Sequence, residues 1–365
     1  MNKYKICAYA ICKNEEKFIK RWYEAVKEAD LIIVTDTGST DNTVKLLKEY
    51  GVTVYEKTFN PWRFDDARNY SLSVIPDDVD ICICTDLDEI IEPNWREILE
   101  NSWQKETDRA SYRYIWNFNS DGSEGCVFWI DKIHSRKNFI WKHPVHEVLT
   151  FTQNRTCNYI YPKDIQVNHY ADPNKPRSQY LPLLELSQKE SPDDDRITHY
   201  LGREYIYYQM WDNCIDMLNK HLLLPSATWK DERAASMRYI AKAYASKGDI
   251  CNAKIWYLKA ITEAPYLREP YTDFATFLYI QNEWEGVIYM CKCALYITER
   301  SKSYINEADS WGFLPYDLLA VAYFNTGKYI EASENSDLAL KYAPLNERLI
   351  NNDKFYKEKI TDIKT

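Results

Sequence analysis

The residues best suited to chemistry sit in "CTDLDEII", where Asp86, Asp88 and Glu89 follow directly on the apolar run Ile81–Cys84. Two like charges 4 Å apart repel by about 4 kcal/mol at an effective dielectric of 20, so such crowding calls for a compensating cation. A hard divalent ion such as Mg²⁺ or Mn²⁺ takes oxygen ligands and bridges phosphates that these carboxylates would otherwise repel. A solvated loop, or a cap for the helix expected over "PNWREILE", would also use an acidic residue here, but needs only one of the three.

Other segments offer partners. "VTDTGSTDNT" puts Asp36 just after an apolar run, in a tight turn with Gly38, Ser39, Thr40 and Asp41. A carboxylate there can accept from a base N–H or a ribose hydroxyl, while Ser39 to Thr43 supply caps for the next helix. "FDDARNYSL" places Arg68 and Asn69 at the start of a helix, with Arg68 facing phosphate or base, or pairing at the surface with Asp65 or Asp66. "FIWKHPVHEVL" contributes His143, His146 and Glu147, and "VNHYADP" contributes His169. Half of the chain's six histidines thus fall in one short region. A lone histidine is usually a hydrogen-bonded structural residue; this concentration makes them site candidates.

Two halves with different periods must position these residues. In the first, the apolar runs "KICAYAI", "LIIVT", "VTVYE" and "DICICT" alternate with the amphipathic "EKFIKRWYEAVKEA", "TVKLLKEY" and "ARNYSLSVI". Continuous apolar strands alternating with helices predict a mainly parallel sheet covered on both faces. Ligands bind such sheets beyond the strands' carboxyl ends, where "DTGSTD" and "DLDE" both fall. From about Ser178 the pattern is helical throughout and repeats itself. Tyr244, Gly248, Ala253, Ala260 and Pro265 align without a gap with Tyr323, Gly327, Ala332, Ala339 and Pro344. A copy between them keeps Ala294 but has Asn282 at the turn glycine, and an earlier copy, "REYIYYQMWDNCIDMLNKHLLLP", is more degraded. Small residues at helix crossings, a turn glycine and a closing proline predict three to four tetratricopeptide-like helical hairpins.

The 365 residues, 45% hydrophobic, suffice for two domains, expected over 1–177 and 178–365. A net charge of −9 argues against a nucleic-acid partner. No stretch reads as a membrane span, and "MNKYKICAYAICKNEE" lacks the apolar core of a signal peptide. Most of the ten cysteines lie in apolar elements, and neither Cys82/Cys84 nor Cys291/Cys293 has a partner at zinc-site spacing. Buried reduced thiols and a cytoplasmic setting are expected.

"NEE" after the first strand, then "VTDTGSTD", "ARN" and "CTDLDE" in this order, resemble the family-2 glycosyltransferases of GT-A fold over roughly residues 4–175. The resemblance implies an α/β, Rossmann-like sheet domain, joined here to an all-α repeat domain. It also implies a nucleotide-sugar donor, most often a UDP-sugar carrying a hexose or N-acetylhexosamine, and inversion at the anomeric carbon. Carried over, Asp36 would bind uracil or ribose with help from Arg68, and Asp86 and Asp88 would form the metal motif, Asp88 ligating directly. "HE" followed by "HY" is similar to a subgroup with helical repeats that includes enzymes glycosylating bacteriocin peptides and some lipopolysaccharide-modifying relatives. His169 would then be a further metal ligand, favouring Mn²⁺ over Mg²⁺. Inverting transfer needs a base opposite the leaving UDP; Glu147 is the first candidate and His146 the second. "SYRYIWNF" sets Tyr112, Tyr114 and Trp116 on one strand face, as sheet core or as a sugar platform. The expected acceptor is Ser, Thr or Cys of a peptide or protein. The alternatives are a glycan or lipid-linked acceptor and, in another class, an inactive transferase domain on a scaffold. The repeats are also the natural place for a homodimer contact.

Overall fold

The computed structural model describes residues 3–119, 122–172, 177–301 and 303–364. The chain forms two compact units, Met1–Glu190 and Ser191–Thr365.

The first unit contains β1 (Ile6–Cys12), α1 (Ile19–Val26), β2 (Leu31–Asp36), α2 (Thr43–Glu49), β3 (Thr53–Glu56), α3 (Phe64–Ser73), β4 (Ile81–Cys84) and β5 (Glu89–Ile91). There follow α4 (Trp95–Ser102), β6 (Arg109–Ile115), β7 (Val127–Ser135), β8 (Phe139–Lys142), β9 (Val148–Phe151), β10 (Tyr159–Ile160), β11 (Gln166–His169) and α5 (Tyr180–Glu190). Among the described residues one sheet runs β3-β2-β1-β4-β7-β6-β11-β5, with β10 on β6, and β8 pairs β9 as a separate hairpin. From β3 to β4 the strands are parallel. Beyond β4 the sheet is mixed: β7 lies antiparallel to both β4 and β6, and β5 antiparallel to β11. The expected parallel sheet therefore holds for the half built from continuous apolar strands.

Of those strands, β1 and β4 are buried on both faces, whereas β3 at the sheet edge is not. Ile6, Ala8 and Ala10 of β1 join one core with Ile81 and Ile83 of β4, while Cys7 and Tyr9 join the opposite core with Cys82 and Cys84. Period-two alternation into two apolar layers leaves no solvent face, so nearly every position is apolar. Cys7, Cys12, Cys82, Cys84, Cys214 and Cys291 are buried free thiols. Helix α5 belongs to the first unit, later than the expected 177/178 boundary; Arg63 beside α3 pairs with its Glu190 at 2.5 Å.

The second unit is helical: α6 (Asp195–Tyr207), α7 (Trp211–Leu223), α8 (Lys230–Ser246), α9 (Ile250–Glu263), α10 (Glu269–Ile280), α11 (Trp284–Tyr296), α12 (Ala308–Trp311), α13 (Leu314–Asn325), α14 (Tyr329–Tyr342) and α15 (Glu347–Lys364). The hairpins α6/α7, α8/α9, α10/α11 and α13/α14 each turn through a left-handed residue: Gln209, Gly248, Asn282 and Gly327 respectively. Asn tolerates this backbone better than most side chains, which explains how Asn282 stands for the repeat glycine. Ala253, Ala260, Ala294, Ala332 and Ala339 are all fully buried, as small residues at helix crossings must be. No described helix is long and apolar enough to cross a membrane.

Candidate active site beyond the strand ends

Beyond Cys84 the chain turns through Leu87 and Asp88, the Glu89 N–H donating to the Asp86 carbonyl at 2.9 Å. Leu87 enters the core while Asp86 and Asp88 flank it. Glu89 is buried and structural: it accepts from the Tyr114 hydroxyl at 2.7 Å, Lys132 Nζ at 2.8 Å and the Asp86 backbone N–H at 3.0 Å. None of the three acidic residues caps α4, whose N-cap is Asn94.

Arg68 lies within α3 rather than at its start, and is only 4% exposed. Its Nη2 donates to both Asp86 carboxylate oxygens, at 2.9 and 3.2 Å, and its Nε donates to Glu147 Oε1. Its guanidinium stands over the Trp141 ring at 5.1 Å. Three segments separated by 18 and 79 residues thus meet at one side chain. Burial opposes the charge on Arg68, yet Asp86 and Glu147 hold its pKa well above the usual guanidinium value. Asp65 pairs instead with Arg63, at 2.9 Å.

Helix α3 is stapled to the segment that carries Glu147. The Asn69 side-chain amide donates to the Trp141 carbonyl and accepts from the Trp141 N–H, both at 2.8 Å, and Phe64 N–H donates to the Pro144 carbonyl at 2.9 Å. His143, His146 and Glu147 lie in the β8–β9 connection, where His143 and His146 have φ of 79° and 51°. Non-glycine residues in this region carry strain that the surrounding structure must hold in place. His146 stacks on Tyr180 with ring centroids 5.7 Å apart. Of the two base candidates, only Glu147 touches Arg68.

His169 ends β11, directly opposite Glu89 of β5 in the antiparallel register, which brings it beside Asp88. Its Nδ1 lies 2.9 Å from the Trp116 carbonyl, which can only accept, so Nδ1 carries the proton. Its Nε2 then faces Asp88 Oδ2 at 3.7 Å, too long for a hydrogen bond. Burial lowers the pKa of His169, but Asp88 and the Trp116 carbonyl raise it further, leaving it above the ordinary imidazole value. Trp116 is half-exposed and stacks on His169 at 4.5 Å, whereas Tyr112 and Tyr114 are core.

Asp36 is buried at the end of β2 and organises its own turn. It accepts from the Gly38 and Ser39 N–H groups, both at 3.0 Å, and from the Ser39 hydroxyl, while the Cys12 thiol lies 3.6 Å away. These contacts take up the roughly four lone-pair sites of a carboxylate.

Sequence reading missed Lys132. It lies 2.8 Å from Glu89 and 3.6 Å from Asp86, and these carboxylates hold its pKa above the usual amine value although burial opposes its charge. Period-two counting does not reach it: the β6–β7 register shifts between the Ala110–Ile133 and Tyr112–Ile130 pairs, so Phe128, Ile130 and Ile133 pack on one core while His134 meets Tyr9 of the other. A cation on a buried face needs a carboxylate partner.

Residues 8–158 match the family described as Glycosyl transferase family 2. The chain is 29% identical over 97 residues to the lipopolysaccharide core biosynthesis glycosyltransferase LpsC of Rhizobium meliloti (strain 1021). That match covers 26% of this chain and 35% of the relative, so the chain spans about a third of the relative's length. Among solved structures, yeast Tom70 is similar at TM-score 0.41 and 16% identity, over 53% of this chain and 38% of that one. TTC0263, a thermophilic TPR protein of Thermus thermophilus, is similar at TM-score 0.36 and 17% identity, over 48% of this chain and 88% of that one. With Arg68, Asp86, Asp88 and Glu147 inside the matched segment, the first unit of this chain carries a family-2 glycosyl transferase domain.

Proposed function

We propose that this chain transfers a hexose or N-acetylhexosamine from a UDP-sugar to an acceptor, with inversion and with the help of a divalent cation. The observation that carries the reading is the contact of Arg68 with both Asp86 and Glu147, with Lys132 on Asp86 and His169 beside Asp88 two residues further on, beyond the strand ends of a family-2 domain.

The donor set suits a cation. Asp88 and His169 would hold it, and Asp86, two residues before Asp88 and paired with Arg68 and Lys132, would be the third candidate. The hydrogen bond from His169 Nδ1 to the Trp116 carbonyl is the outer-shell contact that orients a ligating imidazole. A nitrogen ligand favours Mn²⁺ over Mg²⁺. When bound, such an ion would offset diphosphate charge and the charge developing on the departing UDP. The remaining tasks fall to the protein. Asp36 would shape the nucleoside turn, touching uracil or ribose only if Ser39 gives way. Arg68 would hold Asp86 and Glu147 in place, and the exposed face of Trp116 would offer a platform to the sugar. Glu147, oriented by Arg68, would take the acceptor's proton; His146 is the second candidate.

Ser, Thr or Cys of a peptide or protein is the preferred acceptor, because stacked helical hairpins commonly present an extended surface to polypeptides. The LpsC relative's name favours a second reading, a glycan acceptor. Buried thiols suit a cytoplasmic setting, and self-association through the repeats belongs to the same proposal. The test is UDP release from a panel of UDP-sugars with Mn²⁺ and with EDTA, followed by peptide and lipopolysaccharide-core acceptors. Release from one donor, abolished by EDTA and by Asp88→Ala, supports the reading. Silence across UDP, GDP and TDP donors, with no Mn²⁺-dependent nucleotide binding, would return the chain to an inactive scaffold.

A further inference from the structure

A second set of metal-type side chains lies in the helical unit. His199 of α6, His221 of α7 and Glu232 of α8 are buried, and one donor atom of each lies within 4.8 Å of the other two. Both imidazole Nε2 atoms are buried without a hydrogen-bond partner. Such orphaned polar atoms are costly in an interior, and two of them on neighbouring helices need a reason.

The surroundings supply one. Ser236 Oγ lies 2.7 Å from His199 Nδ1 and 2.9 Å from His221 Nδ1. A hydroxyl oxygen has two lone pairs, so it can accept from both Nδ1–H groups at once. That tautomer leaves a lone pair on each Nε2. Glu232 and Ser236 are one turn apart on the same face of α8, so the carboxylate and the orienting hydroxyl come from one rigid element. The Tyr304 hydroxyl donates to Glu232 Oε2, which leaves Oε1 on the histidine side, 3.3 Å from His221 Nε2. That separation is too long for a good N–H···O bond. It does match the roughly 3.4 Å edge between two ligands bound about 2.1 Å from a tetrahedral ion. Each of the three candidate ligands therefore has an outer-shell partner, the arrangement that fixes ligand orientation in metal centres.

We infer that His199, His221 and Glu232 bind a zinc-class divalent cation that ties α6, α7 and α8 together. Two imidazoles and a carboxylate are a zinc donor set. Closing it needs His199 to move by on the order of 1 Å, given the outer limit of 4.8 Å. The ion would be structural: it would convert two unpartnered buried nitrogens into ligands and raise the stability of the folded unit by mass action.

The test uses the full chain, stripped with a chelator and titrated with Zn²⁺ against a colorimetric competitor. Asp88→Ala serves as background, because it removes the cation proposed for the transferase domain and so separates failure of that proposal from failure of this one. The expected result is tight Zn²⁺ uptake and a Zn²⁺-dependent rise in melting temperature that both survive Asp88→Ala. Both should be lost in His221→Gln. Ser236→Ala keeps all three ligands and should weaken binding roughly 10–100-fold, which keeps the test decisive if His221→Gln does not fold. Co²⁺ should give visible ligand-field bands in the Asp88→Ala protein and none after His221→Gln is added. Zn²⁺ uptake in Asp88→Ala that is absent, or that Ser236→Ala leaves unchanged, overturns the inference.

Discussion

At the residue scale, the acidic cluster is compensated largely by the protein's own cations. Asp86 is held by Arg68 and Lys132, Glu89 by Lys132, and Glu147 by Arg68. Asp88, with His169 beside it, is the carboxylate whose partner is itself a metal-type ligand. Two expectations follow. Glu147→Gln keeps shape and removes the proton acceptor, so kcat of UDP-sugar-dependent transfer should fall roughly 10²–10⁴-fold with donor binding little changed. Equal losses in His146→Gln and Glu147→Gln would remove Glu147 from the base role. Lys132→Met leaves Glu89 buried without its cation and should cost about 3–5 kcal/mol in urea unfolding. Adding Glu89→Gln should recover most of that loss, because the unpaired charge is then gone.

At the element scale, positions depend on short connections. The β8–β9 hairpin places Glu147, and its hold on α3 runs through Asn69 and Trp141. In the helical unit the turn residue sets each hairpin. Gly248 has φ of 79° and open space where a Cβ would stand, so Gly248→Ala meets backbone strain alone. It should lower stability by about 1–2 kcal/mol. Asn282→Gly, at φ of 58°, should be neutral or stabilising. Chemical denaturation of the three proteins checks both; a neutral Gly248→Ala would mean that the hairpin tolerates another turn.

At the scale of the molecule, buried histidines make stability depend on pH. His134 is fully buried on β7; its Nδ1–H donates to the Ser135 carbonyl at 2.7 Å, and its Nε2 accepts from the Tyr9 hydroxyl at 2.9 Å. The neutral ring is thus fully satisfied, and burial pushes its pKa down to about 3. A folded pKa below the unfolded value of about 6.5 means that the unfolded chain binds the extra proton. This contribution is complete above about pH 6.5 and is lost as pH falls toward 3, at about 1.4 kcal/mol per unit. Burial, reinforced by neighbouring cations, pushes His199 well below its ordinary value too, so it adds the same sign. Urea midpoints at pH 7 and pH 5 should differ more in the parent than in His134→Asn. An identical difference would show that other groups control acid unfolding.

Local pattern determined much of this protein by itself. Unbroken apolar strands dictate a doubly covered sheet, because only burial on both faces makes every position apolar, and the gapless repeat of small residues and turn glycines dictates helical hairpins. Asp36, Asp86 and Asp88 marked the candidate site for the same reason, since each ends or follows an apolar strand, whereas Arg68 lies inside α3. What only the tertiary structure decided were the pairings. Arg68 faces Asp86 and Glu147 rather than Asp65, Asp36 turns onto its own loop, Lys132 joins the cluster, and β7 enters the sheet antiparallel. Neutralising a buried charge is a contact between segments far apart in the chain, and no local period records which segments the fold will bring together.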